Sequence, residues 1–279
     1  MSTGIIIIIL AAAVLHAAWN TIVKAAGDRT VTLGLVALGH VFPGLILVTY
    51  LPFPAIESWP YLLGSTVIHF GYFYMLGQAY KHGDLSVVYP IARGIVPALV
   101  SLWAMLFVGE VLPAQAWLGI ALIAGAIQLS SWAALRQGVG RAALGFALGT
   151  GVCISAYSLV DGVGVRLSEN TLGYWAWHSL LHVFIAAFVG IRRGRAMLTL
   201  PAKTWVIGLT GGFVSMTAYG LVLYAKNFAP LGAVSALRET SVIFAALIGY
   251  LLLGEGHPVR RIMAAIIMAV GVALIALAS

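Results

Sequence analysis

Charge is what this sequence has least of. Fifteen Lys and Arg with eight Asp and Glu are all its full charges in 279 residues, where a soluble domain of this length carries about 25%, roughly seventy. A water-soluble surface is thereby excluded. Cysteine is nearly missing too: a single Cys153 rules out an intramolecular disulfide and any cysteine metal cluster, and its place beside Ile154 and Ser155 gives it a packing role. The start, Met1 to Gly4 followed by Ile5 to Leu10, lacks the basic region of a secretory signal and reads as a permanent first helix. Also lacking are a phosphate loop, so no ATP binding is expected, and paired carboxylates or a nucleophile beside a base. These absences argue against an enzyme, leaving a membrane-embedded one as a distant alternative.

What fills the chain is apolar: 62% of residues are hydrophobic. They lie in blocks of about twenty, the length a helix needs to cross about 30 Å of hydrocarbon. Without the alternating pattern of a barrel strand, the blocks predict an all-α integral membrane protein. Ten spans are expected, near 4–24, 31–51, 60–80, 85–108, 113–135, 141–164, 171–191, 202–225, 230–253 and 258–278. Short loops leave no room for a soluble domain, so function must sit among the helices. The net charge of +7 is scattered over loops and forms no clustered face for nucleic acid. The odd-numbered connections hold Lys24, Arg29, Lys81, Arg136, Arg141, Arg192, Arg193, Arg195, Lys203, Arg260 and Arg261. The even ones hold only Arg166 and Lys226. Basic residues of short loops stay in the cytoplasm, which predicts both termini on the far side, the periplasm of a bacterial inner membrane.

An internal repeat is visible when residues 81–129 are laid on 226–274 at a constant offset of 145. Lys81 falls on Lys226, Arg93 on Arg238, Leu106 on Leu251, Gly109 on Gly254, Glu110 on Glu255 and Pro113 on Pro258. A weaker echo at offset 138 pairs Ala18 with Ala156, Trp19 with Tyr157 and His40 with His178. Two five-helix units follow, residues 1–139 and 140–279. An odd number of spans per unit makes the second enter the membrane from the opposite side, the inverted-repeat plan of many secondary transporters, with a site between the halves.

The segment Gly83-Asp84-Leu85-Ser86-Val87-Val88-Tyr89-Pro90-Ile91-Ala92-Arg93-Gly94-Ile95-Val96-Pro97, running into Gly109-Glu110, resembles the fourth and fifth helices of the EamA-type drug/metabolite transporter superfamily. Its counterpart from Ala233 through Arg238-Glu239 to Gly254-Glu255 resembles the second EamA repeat. The resemblance implies a secondary transporter working by alternating access on a small-molecule substrate. Bacterial exporters of aromatic and other neutral amino acids are the nearest comparison, with sugar-phosphate or nucleotide-sugar exchange and multidrug export as alternatives. It implies no cofactor and no partner beyond substrate and bilayer, and leaves monomer and homodimer both open.

Ionisable residues at membrane depth cost about 2.5–3.5 kcal/mol on insertion scales and mark function by default. Arg93 and Arg238 are the candidates to meet a carboxylate; the competing reading is a structural arginine on backbone carbonyls, with Glu239 able to pair only across helices. Pro90 and Pro97 mark the fourth span as the one that bends, as a gate or as a packing kink. His16, Trp19, Asn20 and Val23 share one face of the first span, and His69, Tyr72 or Phe73, and Tyr80 one face of the third, with Tyr74 and Gln78 beside it. His178 and His182 lie one turn apart, but without a carboxylate or cysteine near them no metal is expected; proton sensing, a hydrogen bond to cargo or plain interior packing remain. Asp161 reads either as a proton carrier or as a helix-end carboxylate near Arg166. Trp and Tyr near span ends, such as Tyr50, Trp59, Tyr61, Trp117, Trp132, Trp205 and Tyr250, suit the membrane interface. Trp19, Tyr74, Tyr89, Trp103, Tyr157, Trp177 and Tyr219 lie deeper and are expected to bound a pocket for a neutral, partly apolar solute. Gly145-x-x-x-Gly149 and Gly208-x-x-x-Gly212 predict close helix contacts.

Overall fold

The computed structural model describes residues 1–24, 29–83, 85–130, 132, 136, 138–245 and 258–278. Among them all regular structure is helical. In chain order the helices are α1 (Thr3–Lys24), α2 (Arg29–Tyr50), α3 (Trp59–His82), α4 (Leu85–Trp103), α5 (Ala114–Ser130), α6 (Arg141–Leu167), α7 (Thr171–Leu181), α8 (Val183–Leu198), α9 (Ala202–Lys226), α10 (Leu231–Arg238) and α11 (Pro258–Ala278). Residues Tyr250, Gly254 and Glu255, and with them the second Gly-Glu turn, lie outside the described residues, as does Asp84; so does the side chain of Val23.

Six segments are long and apolar enough to cross a membrane: Thr3–Ile22, Val31–Tyr50, Val87–Val108, Arg141–Leu167, Thr171–Leu198 and Ala202–Lys226. Ala114–Leu129 and Ile262–Ala278 are apolar but shorter. The count of ten is thus not reached by length and apolarity among the described residues. The third expected span is a full helix, yet His69 together with its tyrosines, glycines, Ser65 and Thr66 makes it too polar; the ninth is described as helix only through α10 and a further turn at 241–245. Thr171–Leu198 is broken at His182, where α7 turns into α8.

Apolar and polar residues are distributed inside out. Ile7, Phe42, Ile46, Val67, Phe188 and Ile266 face outward, while His40, His69, Arg93, Asp161, His178, Lys226, Arg238 and Glu239 are buried. That pattern suits a hydrocarbon solvent, because a charge is stabilised there only by turning to the bundle interior.

The helices interleave across the two halves of the chain: α3 packs on α6, α1 and α2 on α9, α5 on α11, α4 on α6 and α10, and α2 on α7 and α8. Glycine permits the closest of these contacts. A Cβ on Gly39 of α2 would stand 2.8 Å from Cα of Gly212 of α9, so the expected close approach at Gly208-x-x-x-Gly212 is present. Gly145 has open space beside it, but a Cβ on Gly149 would stand 3.1 Å from Met75 Sδ of α3, so the motif makes its close approach through its second glycine alone.

Helix α4 runs unbroken through Pro90 and Pro97. Their own carbonyls are satisfied by Gln128 Nε2 at 3.0 Å and Ser101 Oγ at 2.8 Å. The departure from α geometry comes later, in a π-helical turn at Ala104–Val108 that ends at Gly109 with φ +76°. Glycine adopts that left-handed backbone without a Cβ clash, and the turn delivers Glu110 to the ends of α6 and α10.

Candidate functional site

A cavity opens between α1, α2, α3, α4, α6, α7, α9 and α10, with about 1040 Å³ of space free of protein atoms including its open mouth. Its walls contain His16, Trp19 and Asn20 of α1, His69 of α3, Tyr89 and Arg93 of α4, Tyr157 of α6, His178 of α7, Tyr219 of α9 and Arg238 of α10. Sequence reasoning had singled out all of these. On α1 the polar face is braced internally: Trp19 Nε1 donates to His16 Nδ1 at 3.2 Å and Asn20 Nδ2 to the His16 carbonyl at 2.7 Å.

Four expected residues stand elsewhere. Tyr74 is 59% exposed, since it lies two helical positions from Tyr72 and therefore on the far side of α3. Trp103 sits at the end of α4, ten residues beyond Arg93, or about 15 Å along the axis. Trp177 turns away from its neighbour His178 to pack against Trp59 at 5.0 Å and Phe53 at 5.3 Å. Glu239 is behind the wall, 1% exposed, paired with Arg93.

That pair joins the halves. Arg93 Nε and Glu239 Oε2 are 2.8 Å apart, buried on both sides. The N–H is not directed at the oxygen, and Arg93 Nη2 has no hydrogen-bond partner, so the attraction is that of charges rather than of an aligned fork. Arg238 differs. Its guanidinium lies 5.6 Å from the centre of the Tyr219 ring, and among the described residues it makes no ion pair. Of the two cavity arginines it is therefore, among the described residues, the one without an ion-paired carboxylate.

Asp161 is neither at a helix end in contact with solvent nor beside Arg166. It is fully buried; Oδ1 accepts from Tyr174 Oη at 3.1 Å, Oδ2 accepts from Tyr219 Oη, and His178 Nε2 stands 3.6 Å from Oδ2. Arg166 is occupied by Glu110 at 2.6 Å and by the carbonyls of Lys226 and Ala229 at 2.8 and 3.0 Å. The second Glu110 oxygen accepts from the backbone N–H of Leu231 at 2.7 Å, where an acid complements the exposed donors of a helix start. Lys226, counted from sequence as a loop charge, is also fully buried and donates to the Ser158 carbonyl at 2.8 Å.

His40 and His182 are the wall histidines that the sequence did not mark as site residues. His40 and His182 stack at 4.4 Å, His69 stacks on Tyr157 at 4.2 Å, and His178 lies 5.1 Å from His182 and 5.7 Å from His69. The echo of His40 on His178 at offset 138 was the available signal. Among the described residues no group of His, Cys, Asp and Glu is placed to hold a metal ion; several rings stack instead of aiming nitrogens at one point.

Residues 141–277 match the EamA-like transporter family. No curated protein matches the chain. A solved crystal structure is similar to it with a TM-score of 0.78 at 18% identity over 100% of both chains, which shows the fold alone. The EamA-like domain and the apolar helical fold support a membrane transporter of small molecules.

Proposed function

We propose that the chain is a secondary transporter that exports a neutral or aromatic amino acid across a bacterial inner membrane, by alternating access of two inverted five-helix repeats, residues 1–139 and 140–279. The single observation that carries the cargo is Arg238, a cavity arginine that makes no ion pair among the described residues, set against Tyr219 in a wall of aromatic rings. A guanidinium binds a carboxylate bidentately, and the rings accept an apolar side chain or a cationic amino group. Sugar phosphates, the alternative, want several free cations, and Arg93 is already neutralised by Glu239.

The packing supports the ten-helix inverted repeat. Exchanging each helix for its counterpart in the other half turns the α3 to α6 contact into the α9 to α1 contact, and maps α5 to α11, α4 to α10 and α2 to α7 onto themselves. The family match, confined to 141–277, coincides with the second half. Orientation rests on the loop charges. Both exceptions to the odd-loop rule, Arg166 and Lys226, are engaged inside the bundle, which leaves the basic excess on one side. With that side cytoplasmic, wall residues Asn20, Leu33, Leu76 and Tyr89 lie toward the cytoplasmic helix ends. The opposite end is held by the Glu110 and Arg166 pair and by the Phe53, Trp59 and Trp177 cluster.

Counterflow of labelled L-tryptophan, L-leucine, glucose phosphate and a cationic dye into proteoliposomes tests the reading. Saturable amino-acid counterflow is expected. Phosphate-ester exchange without amino-acid counterflow would overturn the cargo.

A further inference from the structure

We propose that His178 and Asp161, with the histidines packed around them, form a proton site whose occupancy is exchanged for substrate, making the transporter a proton antiporter. The proposal rests on the transport reading above.

The geometry is that of a buried acid and base held just short of contact. His178 Nε2 is 3.6 Å from Asp161 Oδ2, so a proton on the ring gains a carboxylate counter-charge after a small rotation. The carboxylate is held in place by two phenols, Tyr174 and Tyr219. If the histidines served packing alone, their ring nitrogens would be satisfied, as buried polar groups are. Instead Nδ1 of His178 and Nδ1 of His40 are buried without a partner. His69 and His182, at 5.7 and 5.1 Å from His178, bring further rings within reach of one bridging water. Histidine is the side chain whose ordinary proton affinity places its charge change near neutral pH.

The groups facing this site come from every element around it. His40 stands on α2, His69 and Tyr72 on α3, and Tyr157 with Asp161 on α6. Tyr174 precedes His178 on α7 and His182 ends it; Tyr219 and Lys226 face it from α9 and Arg238 from α10. Two of these tie the proton to the cargo. Tyr219 donates its hydroxyl to Asp161 while its ring carries both the Arg238 guanidinium and the Lys226 ammonium at 5.6 Å. His178 is itself cavity wall. A zwitterion with its carboxylate on Arg238 directs its ammonium at the negative potential of Asp161, the same potential that holds a proton on His178. Each expels the other, and the proton and the amino acid cross in opposite directions.

Two measurements test this. In detergent, potentiometric titration of the wild type against His178→Gln reads the site without any transport: the wild type should take up about one more proton than the variant. Coinciding curves overturn the proposal, even if amino-acid transport is then found. In proteoliposomes loaded one pH unit more acid than the medium, with the membrane potential clamped at zero, wild-type protein should accumulate L-tryptophan about tenfold, since one proton exchanged per substrate transmits the whole tenfold proton ratio. Asp161→Asn should accumulate none, at whatever rate it equilibrates. Wild-type counterflow without accumulation, or full accumulation by Asp161→Asn, overturns the coupling. Absence of wild-type counterflow instead defeats the transport reading, and the titration alone then decides whether the proton site exists.

Discussion

Removing Arg166 should loosen the end of the bundle opposite the charged loops. Its guanidinium makes three bonds there, to Glu110 and to the carbonyls of Lys226 and Ala229. Arg166 and Glu110 are 29% and 16% exposed, so solvent screens the ion pair and it contributes about 1 kcal/mol. Each bond to a carbonyl adds about 1 kcal/mol net. Arg166→Ala therefore gives up about 3 kcal/mol, and at 1.4 kcal/mol per factor of ten the balance moves about a hundredfold toward states with this end open. Glu110→Gln has one acceptor oxygen for the two donors that the carboxylate serves on separate oxygens, so it loses the charge and one hydrogen bond, about 2 kcal/mol, and moves the balance about thirtyfold. Spin labels on cysteines at Ile56 and Phe228, both exposed at this end, in a Cys153→Ser background, read the opening as a longer and broader distance distribution. The order expected is Arg166→Ala, then Glu110→Gln, then the parent, with the double variant no further open than Arg166→Ala. Unchanged distributions in both variants, or equal shifts, would refute the reasoning.

Arg238→Lys should weaken L-tryptophan counterflow about ten- to a hundredfold in apparent affinity, because an ammonium cannot reproduce the planar fork on a carboxylate; an unaltered KM would remove Arg238 from the site. Arg93→Ala strands Glu239 as a buried charge and should cost about 3–5 kcal/mol, seen as a lowered Tm in detergent, while Arg93→Met with Glu239→Leu should recover most of it. Gly39→Ala forces α2 from α9, where its Cβ would lie 2.5 Å from the Leu209 carbonyl oxygen, and should lower stability by about 1–3 kcal/mol. Pro97→Ala should change transport rate severalfold with little change in Tm, since α4 is already helical there; normal transport by a well-expressed variant would count against a gate at this proline.

The helices were legible because hydropathy alone decides them: the expected segments at 4–24, 31–51 and 202–225 end within a few residues of α1, α2 and α9, whereas 171–191 runs through the bend at His182 and stops seven residues short of Leu198. The third span was read as membrane although its composition is mixed, for its polar face is what lines the cavity. The site was legible in part. Helical spacing placed His16, Trp19 and Asn20 on one face, but it cannot say whether Tyr74 or Tyr72 turns inward, which depends on how α3 rotates against α6. It also cannot pair charges that are far apart in sequence. Arg166 finds Glu110 across 56 residues and Arg93 finds Glu239 across the two halves, so the adjacency of Arg166 to Asp161 misled. Lys226 was missed because it falls at a helix end, where a lysine is ordinarily solvated.

Once those pairings are known, the interior charges can be balanced. Among the described buried side chains Arg93, Arg238 and Lys226 are cations, and Asp161 and Glu239 are anions. Glu239 answers Arg93, and Asp161 shares Tyr219 with Lys226. Arg238 is left over. A buried charge without a counter-charge is costly, and Arg238 lines the cavity. The empty transporter thus holds a positive charge that a carboxylate entering the cavity neutralises, and a proton on His178 raises that charge further. Cargo and proton consequently act on the same electrostatic balance from opposite signs: the carboxylate relieves it and the proton burdens it. Antiport follows only if the cargo also carries an ammonium to compete for Asp161. A cargo with a carboxylate and no amine, such as phenylpyruvate, should then bind to Arg238 more tightly when His178 is protonated, and competition with L-tryptophan measured on both sides of neutral pH would show the two ligands shifting in opposite directions. Parallel shifts would mean that the ammonium has no part in the coupling.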